Sequence, residues 1–99
     1  MNKRHQEQLL SRLDDLFTKG VTFIAWPEIY YWYSIERIAK APWRDIKSKW
    51  ADVLEEAGEK YQDPYVAETT AGVALFYSSK PKKLGQLTEW LTTSAKKQG

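Results

Sequence analysis

The chain contains no cysteine and a single histidine, His5, among its 99 residues. The absence of cysteine excludes disulfides, thiolate zinc sites, iron–sulfur clusters and a cysteine nucleophile, and it fits a reducing compartment. One histidine near the N-terminus excludes a histidine-rich metal site and leaves little basis for a Ser-His-Asp arrangement. We therefore expect neither a metal site nor a cofactor.

The sequence also lacks the patterns of membrane proteins and of common enzyme classes. It has no run of about 18 apolar residues, which a membrane-spanning helix would need, and residues 1–7 do not read as a secretory signal. It has no Gly-rich phosphate loop and no nucleophile elbow. Its adjacent acids, Asp14-Asp15 and Glu55-Glu56, point in different directions on a helix. We expect a cytoplasmic protein that is not an enzyme and does not bind a membrane.

Aromatic residues are abundant, at 14% of the chain, and hydrophobic residues make up 42%. Aromatic rings bury a large area per residue, which favours a packed core. Charged residues account for 28%, close to the usual share of about 25%, so global disorder is not expected. The composition predicts one folded domain over residues 1–99, with fraying at 1–6 and 94–99.

Glycine and proline divide the chain into short elements. Leu9, Leu13 and Leu16 recur at helical spacing before Gly20, which is suited to end a helix. The β-branched segment 21–25 is predicted to be a strand. The aromatic segment 27–39 is either one helix or an irregular stretch followed by a short helix from Ser34.

The second half of the chain predicts a helix, a hairpin and a last helix. Pro42 opens the clearest helix, which extends to Ala57 before Gly58. Segments 65–70 and 73–78 are predicted to form a β-hairpin. A four-residue loop over 69–72 would pair Val66 with Leu75 and Tyr65 with Phe76. Pro81 begins a final helix with one apolar stripe, formed by Leu84, Leu87, Trp90 and Leu91.

This order of elements resembles the winged helix-turn-helix family of DNA-binding domains, over about residues 8–79. The resemblance is carried by Ser34–Ala39, by Trp43–Leu54 after a tight turn, and by Glu55–Gly58 before the hairpin. It implies an α+β, winged-helix-like fold with a three-helix core, a C-terminal β-hairpin wing and an added C-terminal helix. The family's usual turn glycine is replaced by Ala41-Pro42, and the hairpin tip, 69–72, carries no basic residue.

Cations are concentrated where the 43–57 helix begins. Five bases and one acid, Asp45, lie between Arg37 and Lys49, whereas Asp52, Glu55 and Glu56 follow. A helix macrodipole favours the reverse order, but a recognition helix presents its N-terminal residues to bases and phosphates. The predicted DNA-binding residues are Arg37, Lys40, Arg44, Lys47, Ser48, Lys49, Lys80, Lys82 and Lys83.

Each group of cations also has a structural interpretation. An ordinary surface helix would pair Asp45 with Lys49, and Arg37 and Lys40 would stabilise the end of the preceding helix. The lysines at 80, 82 and 83 would form a solubilising loop. The DNA-binding interpretation predicts a transcriptional regulator, or an accessory factor of a mobile element or plasmid, that binds double-stranded DNA.

The run Tyr30, Tyr31, Trp32 and Tyr33 places four rings in succession, and these cannot all face one core from a helix. The simplest interpretation is a helix buried on two sides. The alternative function is a protein-interaction module, an adaptor or inhibitor that uses these rings as anchors and binds no nucleic acid. Base stacking on a single strand is a third option. The apolar stripes of the terminal helices either complete the core or form a homodimer.

Overall fold

In a computed structural model, residues 2–37 and 40–77 are described together with Leu87. These residues form an α+β fold with three helices and a three-stranded antiparallel sheet in the order β1-β3-β2, compatible with a winged-helix-like layout. None of the helices in these ranges is long and apolar enough to cross a bilayer. The predicted helix from Pro81 lies outside the described residues, except for Leu87. The elements are α1 (Lys3–Lys19), β1 (Val21–Ala25), α2 (Trp26–Tyr33), α3 (Lys40–Glu56), β2 (Tyr65–Glu68) and β3 (Gly72–Phe76).

Helix α1 is capped at both ends. The Asn2 side chain accepts a hydrogen bond of 2.8 Å from the backbone N–H of His5, which satisfies a donor of the first turn. At the other end, Gly20 adopts a left-handed conformation with φ of 84° and donates its N–H to the Leu16 carbonyl. Residues 3–6, which were expected to fray, are helical in the structure, and the His5 side chain is buried.

Helix α2 spans Trp26–Tyr33, which differs from both sequence interpretations of segment 27–39. Ser34 has φ of 52° and ψ of 48°, in the left-handed region, and the Ile35 N–H donates back to the Tyr30 carbonyl. This pair of features ends a helix. Residues 34–37 therefore form a connection, so the single helix over 27–39 and the short helix from Ser34 are both wrong predictions. The predicted tight turn at Ala41-Pro42 is also wrong, because both residues already belong to α3.

The hairpin register predicted from the sequence is confirmed. Tyr65 pairs with Phe76 and Val66 pairs with Leu75. The Thr69 hydroxyl closes the loop by accepting hydrogen bonds from the N–H groups of Ala71 and Gly72. The remaining edge of β3 pairs with β1, where a Cβ on Gly72 would lie only 2.7 Å from the Ala25 Cα. Glycine at this position therefore lets the two strands approach each other.

The core lies between the inner face of the sheet and the three helices. The stripes that predict α1 and α3 are the faces that the structure buries. Because Leu9, Leu13 and Leu16 of α1 are enclosed in this core, the stripe of this terminal helix completes the fold. Among the described residues, the buried hydrophobic residues of this core are Leu9, Leu13, Leu16, Ile24, Ile29, Trp32, Ile46, Trp50, Leu54, Val73 and Leu75.

Candidate nucleic-acid interface

Four residues of α3 share one solvent-exposed side of the helix. Lys40, Arg44, Lys47 and Ser48 are all exposed, and the last three line a shallow groove with Ala51 and Tyr61. Their spacing of three to four residues places them one above another on a helix surface. We call these four residues the outer face of α3.

The buried side of α3 fixes the orientation of the outer face. Ile46, Trp50 and Leu54 are buried in the core, and the Trp50 indole donates a hydrogen bond of 2.9 Å to the Gln62 carbonyl. Gly58, with φ of 74°, follows the helix as predicted. Since the helix is held along its length, it cannot rotate the outer face toward the core.

Lys47, a member of the outer face, lies beside Asp63 and Tyr61. Its Nζ lies 3.9 Å from Asp63 Oδ1, with side chains 65% and 70% exposed, and 5.7 Å from the centre of the Tyr61 ring. An exposed ion pair at this distance contributes little to stability, so the ammonium remains available to another anion. Partial burial and a hydrogen bond to Asp63 raise the pKa of Tyr61 to about 12, so this phenol is neutral at physiological pH.

Lys49 lies on a different side of α3. Two positions along a helix differ by about 200°, which separates Lys49 from Lys47. The Lys49 Nζ binds both carboxylate oxygens of Asp45 at 2.7 and 2.9 Å, and its side chain is only 21% exposed. The structure therefore forms the local ion pair of the structural interpretation and does not bring Lys49 to the outer face.

Asp45 also joins α3 to the end of α2. The Tyr33 hydroxyl donates a hydrogen bond of 2.7 Å to Asp45 Oδ2. Partial burial alone would raise the pKa of Asp45, but the hydrogen bonds from Lys49 and Tyr33 outweigh it and hold this pKa below its ordinary value. Burial and the neighbouring carboxylate raise the pKa of Tyr33 far above the physiological range, so the hydroxyl remains a donor.

Arg37 precedes the outer face along the chain, and Lys40 is the first residue of that face. Arg37 is exposed in the connection after α2, and Lys40 is the first residue of α3. A cation at a helix N-terminus is unfavourable with the macrodipole, so the expected dipole stabilisation does not explain Lys40. Lys80, Lys82 and Lys83 lie outside the described residues.

The hairpin tip is attached to the start of α2 and contributes no cation to the interface. The Trp26 indole donates to the Thr69 carbonyl at 3.1 Å, and the Trp26 backbone N–H donates to the Ala71 carbonyl. A shallow depression at this contact is lined by Trp26, Tyr30, Glu68, Thr69 and Thr70. Because the tip carries no basic residue, the hairpin offers no cation for contact with a DNA minor groove.

The aromatic run does not form one surface, which corrects the residues of the alternative protein interface. Trp32 is buried, and its indole donates to the Gln8 side chain at 2.7 Å. Tyr33 is half-buried against Asp45, and Tyr30 is half-buried beside Trp26 with ring centres 6.5 Å apart. Only Tyr31 is open, at 69% exposure, with its ring edge against His5. Alternate helical directions distribute these rings between core and surface.

A cleft that the sequence did not predict lies beside the outer face. Its volume is about 430 Å³. The cleft is bounded by α3, by the connection 57–64 and by β2. Sequence reasoning missed it because the residues that form its mouth have no periodic pattern. The lining residues are Leu13, Trp43, Ile46, Lys47, Trp50, Tyr61, Asp63, Pro64, Val66 and Leu75.

Across residues 2–37 and 40–77, no cluster of three or more histidine and carboxylate side chains is arranged to hold a metal ion. No protein-family model matches the chain, and no match was found among the curated proteins or the solved structures.

Proposed function

We propose that the protein binds double-stranded DNA through the outer face of α3, as a transcriptional regulator or an accessory factor of a mobile element or plasmid. The supporting observation is that Lys40, Arg44 and Lys47 share an exposed side of a helix whose other side is anchored in the core. An arginine can bind guanine O6 and N7 together, and lysine or serine can bind phosphates.

The acids near the C-terminus of α3 determine which half of the helix can contact DNA. Asp52, Glu55 and Glu56 are exposed in its last two turns, where phosphates would be repelled. The N-terminal half of the helix therefore enters the major groove, and the C-terminal half points away from the backbone. Arg37, which precedes this end of α3, contacts the adjoining phosphates.

The test is the affinity of purified protein for a fluorescently labelled, mixed-sequence duplex, measured by anisotropy at low salt. Charge reversal by Arg44→Glu with Lys47→Glu removes two of the proposed contacts and adds repulsion. We expect at least a hundredfold loss of affinity, since each good contact contributes about 1–3 kcal/mol. Circular dichroism and thermal unfolding verify that the variant is folded.

A matched control uses the same residue types on α1. Arg4 and Lys19 are both exposed and lie outside the outer face, so Arg4→Glu with Lys19→Glu changes the net charge equally. This variant should lose much less affinity, through long-range attraction alone. Equal losses in the two variants would reject α3 as the interface, and undiminished affinity in the first variant would reject it as well.

The alternative, protein binding through Tyr30–Tyr33, has a narrower basis. Tyr31 is the one ring of the four with most of its surface in water, so it is the only anchor that this run offers. Substitution Tyr31→Ala should leave DNA affinity unchanged under the DNA-binding proposal, because the ring lies on α2 against His5.

A further inference from the structure

The cleft beside α3 has the dimensions and lining of a small-molecule site. Its volume of about 430 Å³ falls within the range of about 300–1,000 Å³ that is typical of ligand pockets. Two large side chains at its mouth, Tyr61 and Val66, are 43% and 56% exposed. A ligand in the cleft would cover this apolar surface, which water now contacts.

The wall formed by the connection 57–64 is fixed in place. The Trp50 indole holds the Gln62 carbonyl at 2.9 Å, and Trp50 itself is fully buried in the core. On the adjacent side, Val66 is held in β2 by its pairing with Leu75. The cleft is therefore formed without a ligand, which limits the ordering that binding would require.

The charged groups of the cleft lie together at its mouth. Asp63 accepts the Tyr61 hydroxyl, so part of its hydrogen-bonding capacity is used. Lys47 makes an exposed contact of 3.9 Å with Asp63 and lies 5.7 Å from the centre of the Tyr61 ring. Arg44 adjoins Lys47 along the groove that includes Tyr61. Two cations and one partly satisfied acid give this end a positive balance, while the remaining lining is mainly apolar.

We propose that the cleft binds a small monocarboxylate with an aromatic or branched aliphatic body. The body packs between Trp43, Ile46 and Val66, and the carboxylate pairs with Lys47. A charge-assisted hydrogen bond at the mouth fixes the orientation, and apolar burial supplies the rest of the affinity. A more highly charged ligand is disfavoured, because Asp63 lies beside the one lysine that lines the cleft.

The test is a two-dimensional ¹H–¹⁵N NMR titration of the whole chain in the absence of DNA. The probes are 3-phenylpropionate and 4-methylpentanoate, with 3-phenylpropionamide as the neutral match. We expect saturating shifts at the indoles of Trp43 and Trp50 and at the amides of Lys47 and Val66. The neutral ligand, 3-phenylpropionamide, should bind about tenfold more weakly than 3-phenylpropionate, because it lacks the charged partner for Lys47.

Three variants test the assignment of the cleft. Lys47→Met should remove the preference for carboxylate over amide, and Val66→Trp should fill the cleft and abolish binding of both. Lys60→Met is the matched control, since Lys60 is exposed in the same connection but does not line the cleft. The inference is overturned if the carboxylates cause no saturating shifts at millimolar concentration, if the shifts lie elsewhere, or if Lys47→Met retains the preference. Because no DNA is present, failure here is distinct from failure of the proposed function.

Discussion

Lys47 and Lys49 are separated by one residue, but their surroundings give them different roles. Lys47 is 65% exposed and has a loose contact with Asp63. Lys49 is 21% exposed and binds Asp45 closely, within a network that also includes Tyr33. A cation that already has a close partner would have to lose that partner before it could bind a phosphate.

Single neutral substitutions should separate these two roles. Lys47→Gln should weaken duplex binding and lower the slope of log affinity against log salt by about 0.9, the contribution of one phosphate contact. Lys49→Gln should leave the slope unchanged and reduce the free energy of unfolding by about 0.5 kcal/mol, as expected for a helical i,i+4 ion pair. Anisotropy over a salt series and urea unfolding measure the two effects. A lower slope for Lys49→Gln would return that residue to the interface.

Among the aromatic residues of α2, Trp32 is buried and Tyr31 is exposed, so the two should contribute differently to stability. Trp32→Ala should reduce the free energy of unfolding by about 3–5 kcal/mol, because it leaves a large cavity and removes the partner of the Gln8 side chain. Tyr31→Ala should cost much less, since this ring is 69% exposed. Urea unfolding of both variants measures the difference. Similar losses would mean that the two rings are not divided between core and surface.

Glu28 links three elements and makes stability depend on pH. Its carboxylate binds the Arg12 guanidinium, which also donates to the Phe23 carbonyl, and it accepts the Ala25 N–H. Partial burial alone would raise the pKa of Glu28, but these hydrogen bonds outweigh it and lower the pKa below its ordinary value. The resulting stabilisation is fully present above the unfolded-state pKa of about 4.3 and is lost as pH falls through the folded-state pKa.

Substitution Glu28→Gln should therefore be destabilising at neutral pH and less destabilising in acid. Urea unfolding of wild type and variant at about pH 7, 5 and 3 measures the difference in free energy at each pH. The difference should be constant between the first two and smaller at the third. A difference that stays the same at all three pH values would show that the carboxylate charge has no part in the stabilisation.

At the scale of elements, the end of α2 determines where Arg37 lies relative to the start of α3. Ser34 in the left-handed region ends α2, so the chain leaves that helix before Arg37, and Lys40 to Pro42 form the first turn of α3. Arg37 is thereby separated from any helix end that its charge could stabilise. The start of α3 instead carries Lys40 without an acid in the first turn.

Substitution Ser34→Gly tests whether α2 ends at Ser34, because the sign of the change in the free energy of unfolding depends on the backbone conformation there. Glycine adopts left-handed backbone geometry without the penalty of about 1–2 kcal/mol that other residues incur, so this variant should be more stable than wild type by about 0.5–1 kcal/mol. Within a continuous helix the same substitution would be destabilising. Urea unfolding, with Ser34→Ala as the control that offers no such relief, determines the sign. A destabilised glycine variant would contradict the placement of the helix end.

At the scale of the whole molecule, charge distribution matters more than net charge. The formal net charge is only +2, yet Lys40, Arg44 and Lys47 share one side of α3. Asp52, Glu55 and Glu56 are exposed in the C-terminal half of the same helix, so attraction for a polyanion is local. The adjoining cleft is mainly apolar and is lined in part by Lys47, so Lys47 belongs to both proposed sites.

This arrangement predicts a moderate dependence of duplex binding on salt. Contacts from the three cations of the outer face and from Arg37 give a slope of about −3.6 for log affinity against log salt, at about −0.9 for each of the four contacts. Anisotropy between low and physiological ionic strength measures the slope. A slope near zero would exclude phosphate contacts, whereas a much steeper one would require cations beyond these four.

Local patterns were sufficient to predict the main helices and the hairpin. Leucine spacing predicts α1, the stripe from Ile46 to Leu54 predicts α3, and a four-residue loop predicts the pairing of Val66 with Leu75, which the structure confirms. These features depend on residues close in the chain, where helical and strand periodicity act directly. The end of α2 was not predictable in this way, because serine is not a usual left-handed residue.

The candidate site is only partly determined by local sequence. The amino-acid sequence alone determined that cations precede acids on α3 and that four consecutive rings must divide between core and surface. Only the tertiary structure decided that Lys49 faces Asp45 and Tyr33, that Trp32 is the buried ring, and that Lys47 lies at the mouth of a cleft. The physical reason is that periodicity gives each residue a direction from its own helix, whereas the neighbour it meets comes from a distant part of the chain.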